Sequence, residues 1–230
     1  MNLSWNMRAG QFCILLFVLF LYSNTATGQF SVKIGYDIGF VNEEPNAIFG
    51  QTRTDKPWLN LETKKMNNLQ GVVFGARYET SFFATELDFN YGFWTVQGSG
   101  INPSIDRNES LKVSITNGSL GYGLEGLFGK FGIGTSIHYH FFSQKGKNSN
   151  SGAFIDKSNY LSERVFLGLY LKGSKHTIFA LRPYMDIPFG NVNFHFLERK
   201  LNNRTSSFVK KDFDYSPSAF GIQLLFLNGG

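Results

Sequence analysis

The chain is poor in cysteine, in charge and in proline. Its single cysteine, Cys13, lies in an apolar run near the N-terminus, so beyond residue 28 there is no thiol at all. Disulfides, thiolate chemistry and cysteine-based metal sites are excluded there. Only 17% of the 230 residues are charged, and the formal net charge of +5 is too dilute for a nucleic-acid surface. After residue 28 no apolar segment reaches the length of a membrane-spanning helix. If that part of the chain enters a bilayer, it does so as a closed barrel, because lipid offers no partner to an unpaired backbone group. No GxSxG or comparable nucleophile spacing occurs, and no ligand-spacing signature for a metal.

What the chain has in abundance is aromatic and glycine residues, 25 Phe, 10 Tyr and 25 Gly, arranged with a period of two. The clearest stretch is Leu120–Phe142. Leu120, Tyr122, Leu124 and Phe128 alternate with Gly121, Gly123 and Glu125. After Gly129-Lys130, the residues Phe131, Ile133, Ile137, Tyr139 and Phe141 share a face on which Thr135 is the one hydroxyl. The other face carries Gly132, Gly134, Ser136, His138 and His140. Successive side chains of a strand point to opposite sides, so this is a tight hairpin with one oily and one polar face.

The same pattern recurs eight times. It predicts strands over Phe30–Val41, Gly71–Thr80, Phe83–Val96, Ser110–Phe128, Lys130–Phe142, Tyr160–Lys172, Lys175–Ile187 and Ser216–Phe226. Asn42–Gln70, Gln97–Glu109, Ser143–Asn159 and Phe189–Tyr215 read as long loops, with Asn191–Phe196 alternating again as a hairpin above the barrel. Between Ile115 and Leu120 the apolar phase shifts, which implies a bulge or a strand whose upper part stands clear of the bilayer. Pro183 lacks a ladder donor and weakens the seventh strand. The expected fold is all-β: an eight-stranded antiparallel transmembrane β-barrel with short periplasmic turns and long extracellular loops.

The N-terminus is expected to be a cleaved signal peptide, residues 1–28. Arg8 precedes the apolar run Cys13–Leu21, and Ala26-Thr27-Gly28 is a small-x-small cleavage site. The barrel domain is then 29–230. Phe30, Tyr78, Phe83, Phe128, Phe131 and Phe226 fall at the turn ends, and Phe40, Phe93, Tyr139, Phe141 and Phe189 at the loop ends, as two aromatic girdles. On the inner face, Arg77, Glu79, Glu86, Asp88, Glu125, Arg164, Arg182 and Asp186 mix both signs of charge, with His138 and His140 nearby. A barrel of eight strands is just wide enough for its own side chains. These residues are therefore expected to form a salt-bridged plug and not a catalytic or metal site, with no cofactor implied.

The signal sequence ending before Gln29, the eight strands and the last strand closing on Phe226 resemble the Bacteroidetes outer-membrane β-barrel domain proteins, especially the PorT-like, OmpA-type small barrels. The resemblance implies residence in the outer membrane of a Gram-negative cell, insertion by the barrel-assembly machinery and, in some members, a part in protein secretion. It assigns no ligand. Expected partners are outer-membrane lipid and lipopolysaccharide, met by loop cations such as Lys145 and Lys147, and a secretion-system or extracellular protein; nucleic acid is excluded. Two other classes fit less well. A lipid-modifying enzyme would use a rim histidine, and a soluble periplasmic ligand-binding barrel would need an apolar inner face.

Overall fold

In the computed structural model, the described residues are 28–40, 44–61, 68–149, 152–174, 177–190, 192–193, 200–201, 214–215 and 219–229. The expected signal peptide lies outside them. Strands β1 (Gln29–Phe40), β2 (Asn68–Glu79), β3 (Phe83–Asn102), β4 (Arg107–Phe128), β5 (Phe131–Asn148), β6 (Gly152–Ser174), β7 (Thr177–Pro188) and β10 (Ala219–Gly229) close into an antiparallel barrel. Every strand pairs with its chain neighbour in the ring, and β1 joins β10 from Ser31↔Gly229 to Phe40↔Phe220. Closure removes both sheet edges. Gly129 takes the left-handed conformation, φ 67°, that the two-residue turn between β4 and β5 requires.

The oily set of each ribbon lies outside. Val32, Ile34, Phe74, Leu87, Phe89, Tyr122, Ile133, Ile137, Leu167 and Leu224 are all exposed, while Lys33, Arg77, Glu86, Glu125, His138 and Arg182 are buried within the ring. Pro183 sits on the exposed face of β7. The β6–β7 pairs are interrupted between Phe166↔Tyr184 and Leu169↔Leu181, but the register is the same on both sides, so the missing donor does not end the strand.

The connections differ from those expected. Gln97–Glu109 and Ser143–Asn159 are not loops: β3 and β4 run on together to Asn102↔Arg107, and β5 and β6 to Asn148↔Gly152. Residues 103–106 form the turn of the first of these hairpins. Four strands, β3–β6, therefore rise well above β1, β2, β7 and β10. The phase shift near Asn117-Gly118 is not a bulge, since β4 pairs continuously with β3 and β5 through it. The final strand runs on past Phe226 to Gly229. In the last excursion β8 (Val192–Asn193) pairs with β9 (Asp214–Tyr215); the rest of the expected Asn191–Phe196 hairpin, residues 191 and 194–196, lies outside the described set.

The first expected loop, Asn42–Gln70, is also a folded element. It contains helix α1 (Glu44–Asp55), a 3₁₀ turn at Pro57–Leu59, and the start of β2. Ile48, Phe49, Leu59 and Leu61 from this segment pack on Trp94, Val96, Leu111, Val113, Ile115, Phe142, Phe154 and Tyr160 of β3–β6, with Leu201. The Phe49 and Trp94 rings pack at 5.2 Å, tilted by 51°. Above the oily belt the apolar face of these strands thus turns inward, because there it packs on this roof. The roof's backbone lies close on β3: a side chain at Gly100 would fall on the Trp58 carbonyl, and one at Gly98 would meet Leu61.

Candidate functional site

The inner face is polar along the part ringed by the oily exterior, and its residues form three groups, the second and third joined through Asn90, Ser119 and His138. The largest joins Lys33, Arg77, Glu79, Glu86, Asp88, Glu125, Tyr170 and Arg182. Arg182 donates to Glu86 at 2.5 and 3.0 Å, to Glu125 at 3.3 Å and to the Tyr170 hydroxyl at 2.9 Å, and its guanidinium lies 4.1 Å over Phe166. Arg77 donates to Glu79 at 3.0 Å, to Glu125 at 2.5 Å and to Glu86 at 3.4 Å. Lys33 bridges Glu86, at 3.1 Å, and Asp88. Tyr170 donates to Glu125 at 2.6 Å. Charges removed from water must be compensated at this density, and here each carboxylate has at least one cation or hydroxyl on it.

The second group lies beside it. Arg164 holds Asp186 through two bonds of 2.8 and 2.7 Å, and lies 3.9 Å over the Tyr184 ring. Tyr184 donates to Asp37 at 2.7 Å, and Gln223 links Asp37 with Asn90. The third group holds neither carboxylate nor guanidinium. His138 is bonded to Ser136 at 2.8 Å, and His140 to Ser162 at 2.8 Å and Asn117 at 3.1 Å, stacked on Tyr160 at 4.3 Å. Glycines make room for these groups: a side chain at Gly121 would strike His138, at Gly132 Glu125, and at Gly221 Tyr184.

The ten inner residues read from the sequence are thus brought together, but not as one network. Lys33, Asp37, Tyr170 and Tyr184 complete the first two groups and were not among them. Lys33 and Asp37 stand on the inner face by the same alternation in Phe30–Phe40, so their signal was in the sequence. The tyrosines carry no charge to flag them.

Asn117, His140 and Ser162 have the heavy-atom spacing of an orienter, a base and a nucleophile. Ser162, however, is 0% exposed and His140 is 3% exposed beneath Tyr160. The hydroxyl is satisfied by the imidazole and faces the barrel interior, which is the arrangement of a packed polar core. No group of three or more histidine or acidic residues is placed to hold a metal ion among the described residues.

Between the ion pairs and the roof is a cavity of about 50 Å³, lined by residues that include Asp37, Asn90, Asn117, His140, Arg164 and Tyr184. One water needs roughly 10–15 Å³ measured in this way, so the cavity has room for a few waters and no solute.

The roof is fastened by a polar anchor on β4. Glu109 accepts from Trp58 at 3.0 Å, Asn102 at 3.1 Å, Asn148 at 3.2 Å and Lys56 at 3.3 Å. Burial acts to raise the Glu109 pKa, but the donations from Trp58, Asn148 and Asn102 and the Lys56 charge outweigh it and hold the carboxyl below the usual range. A carboxyl lowered in the docked state favours docking when ionised. Its contribution is complete above the ordinary glutamate value of about 4.3 and is lost as pH falls through the lowered one. Trp58 should therefore become more accessible to a neutral quencher such as acrylamide in acid. Glu109→Gln should give the raised accessibility at all pH; a wild-type profile flat down to pH 3 would contradict this anchor.

The aromatic rim residues occupy the two ends of the oily exterior. Phe30 pairs with Tyr78 and Phe128 with Phe131 at the turn end, while Phe40, Phe93, Tyr139, Phe141 and Phe189 are exposed at the other. Phe83 and Phe226 are half-buried, the latter edge-on to Phe179 at 5.5 Å.

No family model and no curated protein matches the chain. Among solved structures it is similar to Ail, the attachment invasion locus protein of Yersinia pestis, in complex with the heparin analogue sucrose octasulfate (13% identity, 88% of this chain and 97% of that one, TM-score 0.49). It is also similar to the outer membrane protein OprG of Pseudomonas aeruginosa (9%, 89% and 97%, 0.43) and the outer membrane protease OmpT of Escherichia coli (12%, 88% and 93%, 0.34).

Proposed function

We propose that this chain is a non-enzymatic outer-membrane barrel with a closed lumen, which holds a rigid sheet and its roof on the extracellular side to meet a partner. The observation that carries the reading is the inversion of polarity within a closed ring. Apolar side chains cover the outside for 10 or so residues per strand between two aromatic rims, and ions fill the inside. In water the opposite arrangement would be favoured, because apolar area exposed to solvent costs roughly 25 cal/mol per Å². The ion-pair groups and the roof support a closed lumen, and the enclosure of Ser162 and His140 supports a non-enzymatic role. Residues 1–28 serve as the export signal and 29–230 as the barrel domain, inserted by the barrel-assembly machinery. The rising sheet suits partner binding, and a secretion assembly of the PorT-like kind is one such setting.

The test is a gel. Protein extracted without boiling should migrate differently from a boiled sample, because a closed barrel resists SDS, and it should partition with outer-membrane lipid. Identical mobility before and after boiling, with recovery in the soluble fraction, would overturn the reading.

A further inference from the structure

The outer side of the four rising strands is used neither by the lumen nor by the roof. Above the rim, its cross-strand rows read Phe93–Thr116–Ser143–Lys157, Thr95–Ser114–Lys145–Ile155 and Gln97–Lys112–Lys147–Ala153. Lys112, Lys145, Lys147 and Lys157 are all exposed. None of the four has an ion-pair partner among the described residues. The acidic residues near them point elsewhere: Glu109 is buried under the roof, and Asp156 is the inward neighbour of Gln144.

Lys112 and Lys147 are directly opposed across β4 and β5, which brings their Cβ atoms within about 4.5–5.5 Å, and Lys145 follows on the same face. Like charges so placed destabilise the sheet unless an anion lies between them. The patch also has a definite height. Lys145 is four residues above Phe141, and Lys157 four above Leu161, which is roughly 13 Å along a strand. The lysine stems reach down from there. Below Ser143, with Asn159 across from Phe141, lie the exposed Ile137, Tyr139, Phe141 and Leu161, an apolar wall down to Glu163, which stands across from Ile137.

Resting on the outer-membrane reading above, we infer that this face binds a phosphorylated glycolipid of the outer leaflet side-on. Its headgroup phosphates sit among Lys112, Lys145, Lys147 and Lys157, and its acyl chains run down the wall of Ile137, Tyr139 and Leu161. A soluble polyanion could use the cations but has no use for the wall. The face looks sideways into the leaflet, and not up into the medium.

The experiment is native mass spectrometry of the detergent-solubilised barrel titrated with lipopolysaccharide, with its dephosphorylated form, and with heparin. The wild type should retain lipopolysaccharide roughly tenfold more tightly than the dephosphorylated form, and more weakly as salt rises. Replacing all four lysines by glutamine should abolish that difference, while Lys112→Gln with Lys147→Gln alone should weaken retention about threefold, half of the difference on a logarithmic scale. These exposed changes relieve repulsion, so heat-modified migration should be kept. Unchanged retention by the quadruple variant in its folded, heat-modifiable form would overturn the inference and leave the barrel reading standing. Displacement of the glycolipid by equimolar heparin would overturn it too, since the wall would then contribute nothing. Loss of heat-modifiability in the wild type would instead overturn the barrel reading.

Discussion

Replacing Arg182 by methionine is expected to lower the unfolding free energy of the barrel by about 3–5 kcal/mol. Arg182 is 1% exposed and supplies four bonds, two to Glu86 and one each to Glu125 and Tyr170. Methionine fills much of the volume and keeps contact with Phe166, so the loss is electrostatic and not a cavity. The Glu86 carboxylate would be left with Lys33 at 3.1 Å and Arg77 at 3.4 Å, both already shared with other carboxylates. Arg182→Lys should recover only part of the loss, because one ammonium cannot span Glu86 and Glu125 as the planar fork does. Urea titration of the barrel in phosphatidylcholine vesicles measures both variants. A change below about 1 kcal/mol for Arg182→Met would mean that water reaches the group and that the lumen is not closed there.

The second large effect concerns the outside. Leu167 is 56% exposed on β6, beside the 53% exposed Ile133 of β5, one cross-strand row inward of the turn-end rim at Phe131. If that surface meets hydrocarbon, Leu167→Arg should cost about 1–2 kcal/mol in vesicles, between the values for the midplane and the interface. Gln97→Arg, on the same outer face but in the rising sheet, should stay within about 0.5 kcal/mol. The same assay has a built-in reversal. Glu163 stands on the outer face of β6, where it accepts from Thr135 at 2.9 Å. It faces Ile137 across the strands, below Tyr139 and Leu161. Removing a lipid-facing carboxylate by Glu163→Leu should raise stability, which is the opposite sign to Leu167→Arg. Neutral results for Leu167→Arg and Glu163→Leu together would show that the outer face is wet, and the membrane reading would fall.

How much of this could be read from the residues alone depends on how local the cause is. The alternation of Leu120–Phe142 or Phe30–Phe40 is a property of a dozen neighbouring residues, and the pleat makes it a two-sided ribbon whatever the rest of the chain does. Eight such ribbons with the same oily phase leave the closed barrel as the one arrangement that pairs every edge in lipid. Strand count, turn positions and the inner set from Arg77 to Asp186 were therefore open to inspection. The helix at Glu44–Asp55 was not: Pro45, Gly50, Thr52 and Thr54 break any helical period, and it is the packing of Ile48 and Phe49 on Trp94 and Val96 that sustains it.

The sequence by itself determined which side of each strand faces out of the ring, because period two is written residue by residue. Only the tertiary structure decided who meets whom inside. Arg182 finds Glu86 from 96 residues away and Gln223 finds Asp37 from 186, and such pairings depend on register and closure of the whole ring. The same holds for the inverted upper sheet. Val113 and Ile115 are apolar inward because the roof comes to lie on them; the phase shift after Ile115 marks the inversion in the strand, but which distant segment covers it is written nowhere near those residues.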